Sequence, residues 1–166
     1  MNKMQTRRTL SQLARALRNR DGNIRNTAAL EIMDRKLNSA VPYLIDAIAH
    51  PRDINNRGTL VYALGDLDCS AYFLFLFALS FDPSFEVASE SVKILKNGSF
   101  SIRRNDLLLC EQIIGIAKRA GNPPEHMTHV LNELTRILKR LQRNLTRPKS
   151  LIGNVRTIPN QKSIRR

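Results

Sequence analysis

The sequence has no tryptophan, only two cysteines, 5% aromatic residues, and no acidic residue beyond Glu133. Each shortage narrows what the chain can do. Two cysteines, Cys69 and Cys110, each inside an apolar stretch, cannot build a thiolate metal cluster, so they read as buried free thiols of a reducing compartment. The longest apolar run, Ala71 to Ser80, falls well short of the ~20 residues that span a bilayer. Lys3, Arg7 and Arg8 in the segment from Met1 to Leu13 are followed by no apolar stretch, so no secretory signal is expected and the cytoplasm is the expected location. There is no glycine-rich phosphate loop, no GxSxG and no CxxC, and no motif ties a serine or cysteine to His50. The expectation is a non-catalytic chain with no cofactor, no resident metal and no membrane role.

What is present is charge of one sign at one end. The net charge is +13, yet ten of the 27 basic residues follow Glu133 and none of the 14 acidic residues does. The region from Asn26 to Val92 is acidic on balance. The chain is therefore a near-neutral body with a basic end, and 166 residues suffice for one core.

Within the body a helix-pair pattern returns about every 31 residues, near 16–32, 47–64 and 78–95. In the first helix of each pair Leu13, Leu44 and Phe75 correspond, as do Ala16, Ala47 and Ala78. In the second, Ala29, Val61 and Val92 correspond, as do Ile32, Leu64 and Leu95. A polar turn holding Asp21, Asp53 or Asp82 joins the two helices. One such pair cannot cover its own apolar face, so pairs must stack, and a stack of this kind offers surface before it offers a pocket.

Val41-Pro42-Tyr43-Leu44-Ile45-Asp46-Ala47-Ile48, then His50-Pro51, Asn56-Arg57 and Ala63-Leu64-Gly65-Asp66-Leu67 resemble the HEAT repeat, in particular the short bacterial, phycobilisome-lyase-type form. The resemblance covers about residues 10–96. Arg25 and Arg57 match the repeat's arginine, and Ala88 departs from it in the third unit. It implies an all-α fold, an α-solenoid of about eight helices that binds proteins, sometimes nucleic acid, and carries no catalytic residues. Accessory subunits of modifying enzymes, lyases among them, are a further precedent.

The repeats are placed at about 9–37, 38–67 and 70–96. Helix four is expected over 55–67 and helix five over 71–81. An irregular cap follows over 105–145, closing a domain of 1–145 ahead of a basic tail at 146–166 that is expected to be disordered or extended. In the cap, a helix to Ala120 is apolar at Leu108, Leu109, Ile113, Ile116 and Ala117, and Asn122-Pro123-Pro124-Glu125 reads as a capping signal for a last helix ending near Arg143, with Val130, Leu131, Leu134, Ile137, Leu138 and Leu141 inward. Phe73, Phe75 and Phe77 cannot share one helical face. Their helix is therefore either buried on nearly all sides or partly exposed to a partner.

By register, Thr27, Leu30 and Asp34 align with Thr59, Tyr62 and Asp66, and then with Glu90, Lys93 and Asn97. This row reads either as a solvated face or as a groove for a basic or helical protein segment. Asp66 and Asp68, two apart on a helix, are expected on different faces. His126, His129 and Glu133 share a helical face but lack a fourth donor, and read as surface rather than a metal site. The basic residues Arg140, Arg143, Arg147, Lys149, Arg156, Lys162, Arg165 and Arg166 suit phosphate neutralisation or an acidic protein, although the tail has no aromatic side chain to stack on bases. A protein partner is the leading expectation, with nucleic acid through the basic end as the alternative.

Overall fold

The computed structural model describes residues 7–50, 56–121 and 123–146. Among them the chain is all-helical, with eight α-helices and no strand. The helices are α1 (Leu10–Leu17), α2 (Gly22–Asp34), α3 (Val41–Ala49), α4 (Gly58–Leu64), α5 (Phe73–Leu79), α6 (Phe85–Asn97), α7 (Arg104–Arg119) and α8 (Glu125–Thr146). A short 3-10 turn, Asn38–Ala40, leads into α3.

Local chemistry accounts for the ends. Thr9 opens α1 as a capping box with Gln12. Asp21, foreseen as a turn residue, is the N-cap of α2, and its side chain accepts from the Asn23 N–H at 2.8 Å. Pro42 lies in the first turn of α3, where its missing N–H has no helical partner to lose. The Asn122 cap falls outside the described residues, as do 51–55 and the tail from 147 onward.

Helices pack in consecutive pairs, α1 on α2, α3 on α4, α5 on α6 and α7 on α8. The second helix of each pair also packs on the next, so that α2, α4, α6 and α8 form one row. The shared core runs through Leu13, Ile32, Leu44, Leu64, Leu76, Leu95, Leu107 and Leu134, all nearly fully buried. Cys69 and Cys110 are buried free thiols, and burial pushes each up to about 11, so both are poor nucleophiles. Phe73 and Phe77 are buried and Phe75 packs against the core. Phe73 meets Phe100 edge-on and Phe77 meets Phe81 in the same way, so the aromatic faces of α5 are enclosed while Leu74 and Ala78 face out.

Two expected helix bounds are corrected, and α7 buries a different stripe from the apolar set its sequence displays. Helix four does not continue to 67: it stops at Leu64, where Gly65 weakens the helix and i→i+3 bonds (Gly65 N–H to Tyr62 O, Leu67 N–H to Leu64 O) tighten the last turn and bury Leu67. Helix five is likewise shorter than 71–81. In α7 the inward residues are Leu107, Cys110 and Ile114, while Leu108, Leu109, Ile113 and Ile116 are exposed. Since α7 packs chiefly on α8, only one narrow stripe is covered, and its richer apolar stripe faces out.

A candidate binding cleft between α4 and α6

The C-terminal ends of α4 and α6 do not close on each other, and between them lies a cleft of 590 Å³. That volume falls inside the roughly 300–1,000 Å³ typical of ligand clefts. Its floor is apolar, from Met33, Leu67, Cys69, Ile94 and Phe100. Its rim is polar, from Tyr62, Asp66, Asp68, Glu90, Lys93 and Asn97.

Five of the nine register-aligned groove residues meet here: Tyr62, Asp66, Glu90, Lys93 and Asn97. The other four do not. Thr59 lines a separate, smaller polar cleft at the opposite end of α4, beside Asn26, Arg57 and Glu86. Thr27, Leu30 and Asp34 are exposed on α2 away from either lining, with the Thr27 hydroxyl donating to Asn23 O at 2.7 Å. From α2 only Met33 reaches the main cleft.

Asp66 and Asp68 overturn the two-faces expectation. Because α4 ends at Leu64, both lie in the loop beyond it, and both face the cleft. The Asp68 carboxylate accepts from the Ser70 N–H at 3.0 Å, which lowers its proton affinity, and its own N–H donates to Asn38 Oδ1 at 2.8 Å. The repeat register could not supply Asp68, since it assumed an unbroken helix; Gly65 was the signal that could have. Phe100 belongs to the connector after Gly98. A side chain at 98 would collide with the Phe100 ring, so glycine there lets the ring fold back onto the end of α6.

One cation already occupies the rim. The Lys93 ammonium lies 5.7 Å from the centre of the Tyr62 ring and 3.3 Å from Glu90 Oε2. Neither Asp66 nor Asp68 forms an ion pair among the described residues. The rim can therefore hold positive charge, and the floor can hold aliphatic side chains.

The basic candidates separate. Arg140 turns inward: its guanidinium donates to Lys96 O and, at 3.0 Å, to Leu95 O, capping the carbonyls that end α6. Arg143 is exposed and bonds the Lys139 carbonyl of its own helix. Arg147, Lys149, Arg156, Lys162, Arg165 and Arg166 lie outside the described residues. His126 stacks edge-on against the exposed Phe85 ring, and Glu133 is buried between Lys96 and Arg136. The described residues contain no cluster of three or more metal-ligating side chains, and no described helix is long and apolar enough to cross a membrane. Comparison with known proteins returns no matching family model, no matching curated protein and no matching solved structure, so the cleft is read from this chain's own residues.

Proposed function

We propose that this chain is a HEAT-like α-solenoid acting as a non-catalytic adaptor, and that its α4–α6 cleft captures a basic, aliphatic segment of a protein partner. The observation that carries the reading is the composition of the cleft: an acidic, aromatic rim over an apolar floor, with a lysine ammonium already seated between Tyr62 and Glu90. The row of α2, α4, α6 and α8 supports the solenoid reading, because a one-directional stack sets homologous helix ends side by side.

Fluorescence anisotropy with a peptide of alternating lysine and leucine tests the reading. Binding in the micromolar range is expected, weakening as salt rises from 50 to 500 mM because the rim charges are exposed. The double variant Asp66→Lys/Glu90→Lys should lose it while circular dichroism is unchanged. Equal binding by the variant would remove the cleft from consideration. A stronger response to single-stranded nucleic acid than to the peptide would move the assignment to the alternative of phosphate binding by the basic end.

A further inference from the structure

The cleft lies at the same end of the molecule from which the chain runs on past α8. Arg140 ties α8 to Leu95 O and Lys96 O, the last carbonyls of α6. One residue further along α6, Asn97 and Gly98 are already part of the cleft wall. From Arg140, α8 continues six residues to Thr146, about 9 Å of helix. Thr146 therefore lies about one helix diameter, ~10 Å, across from the cleft side of α6 and ~9 Å beyond its end, on the order of 15 Å from the cleft wall in all.

We propose that segment 147–166 of this same chain docks in the α4–α6 cleft and competes there with the partner segment. The inference rests on the reading of the cleft as a site for basic, aliphatic chain. Composition matches on both counts. The segment carries Arg147, Lys149, Arg156, Lys162, Arg165 and Arg166 with no acid, and places Leu151, Ile152, Val155 and Ile158 among them. The cleft offers Asp66, Asp68 and Glu90 around Met33, Leu67 and Ile94. Lys93, whose side chain is 60% exposed, shows how a tail ammonium is received, and it is free to swing into solvent when one arrives.

Length permits the docking. Twenty residues reach at most ~70 Å when extended, and a flexible chain of that length averages on the order of 25 Å between its ends. The gap across α6 is shorter than either. The alternative seat for the aliphatic residues, the exposed stripe of α7, carries Asp106 and Glu111 but is outweighed by Arg103, Arg104, Lys118 and Arg119, so it is net positive where the cleft is net negative. Tethering gives the tail an effective concentration of about 1 mM. If its intrinsic dissociation constant is about 0.1 mM, it weakens a competitor roughly tenfold.

Zero-length carbodiimide cross-linking of the full-length protein tests this directly. Cross-links from Lys149 or Lys162 to Asp66, Asp68 or Glu90 are expected within the monomer, and 1 M salt should abolish them. Cross-links only to Asp106 or Glu111 of α7, or only between two copies, would overturn the proposal. A second arm uses a labelled synthetic peptide of residues 147–166, added to the wild type and to a full-length variant whose six tail cations are replaced by glutamine. The variant should bind it about tenfold more tightly than the wild type, and should lose it on adding Asp66→Lys/Glu90→Lys. Equal affinities would show that the tail does not occupy the cleft. If the lysine–leucine peptide binds through Asp66 and Glu90 but the tail peptide does not, self-docking falls and the cleft reading stands; if neither binds, both fall.

Discussion

Arg57 and Asp82 form the most enclosed ion pair among the described residues, with side chains 13% and 2% exposed. The guanidinium also reaches Ile48 O at 3.4 Å, so one arginine joins the last turn of α3 to the turn before α6. Arg25, its register equivalent, bonds the carbonyls of Asn19 and Arg20 in the first turn. Ala88 ends the series, consistent with a third unit whose neighbour is the irregular α7–α8 pair. Removing one partner strands a buried charge, so Arg57→Ala is expected to lower stability by about 3–5 kcal/mol in urea unfolding. Arg57→Met with Asp82→Leu should recover part of that loss, since no unpaired charge remains although the Ser84 N–H, which donates to Asp82 Oδ1 at 2.8 Å, loses its acceptor. Glu133 gives the pH counterpart. The hydrogen bond from Lys96, joined by Arg136 against the opposing effect of burial, holds its carboxyl below the usual carboxylate range. A depressed folded pKa adds stability that is complete above the unfolded value of about 4.3 and is lost as pH falls toward the folded one. Glu133→Gln should therefore be destabilised relative to wild type at pH 6, and the difference should shrink as melts are taken below pH 4.

At the scale of the element, helix ends were set by residues that a periodic reading passes over. Lys36 closes α2 at φ 49°, with Leu37 N–H bonded to Ile32 O and Lys36 N–H to Met33 O, the paired bonds of a Schellman cap. A lysine in the left-handed region is strained by roughly 1–2 kcal/mol. Glycine gives back part of that gain as chain entropy, so Lys36→Gly is expected to raise stability by about 0.5–1 kcal/mol in thermal melts. The α7 helix makes the sharper contrast. Its wheel carries apolar residues on two stripes, and the set its sequence displays, Leu108, Leu109, Ile113 and Ile116, lies 36–62% exposed. Ile114→Ala should cost about 2–4 kcal/mol by opening a cavity against α8. Leu109→Gln and Ile116→Gln should each stay within about 0.5 kcal/mol. A reversed order in chemical denaturation would mean that α7 is rotated about its axis.

Across the whole molecule, each helix pair is held chiefly by its neighbours in the row. If the row behaves as a one-dimensional array, damage should stay local. Leu13→Ala is expected to speed amide hydrogen exchange in α1 and α2 first, with α7 and α8 little changed; uniform loss of protection would indicate a single indivisible core instead. Much of this was legible beforehand. Helical periodicity, the polar turns and the corresponding Leu, Ala and Val positions foretold paired helices and the inward faces of α1 to α4 and α6, because burial acts on every third or fourth residue wherever a helix meets a core. Five cleft residues were named by the same register. The loop placement of Asp68, the folding back of Phe100, the inward turn of Arg140 and the outward stripe of α7 were not legible. Each depends on where a helix stops or on which neighbour it meets, and an amphipathic pattern encodes neither. What the chain determined by itself was the helices, their pairing and the charge split between body and tail, since these follow from local propensity and composition. What only the tertiary structure decided was which apolar stripe is covered and which ends gape into a cleft, because those follow from the contact of elements far apart in sequence.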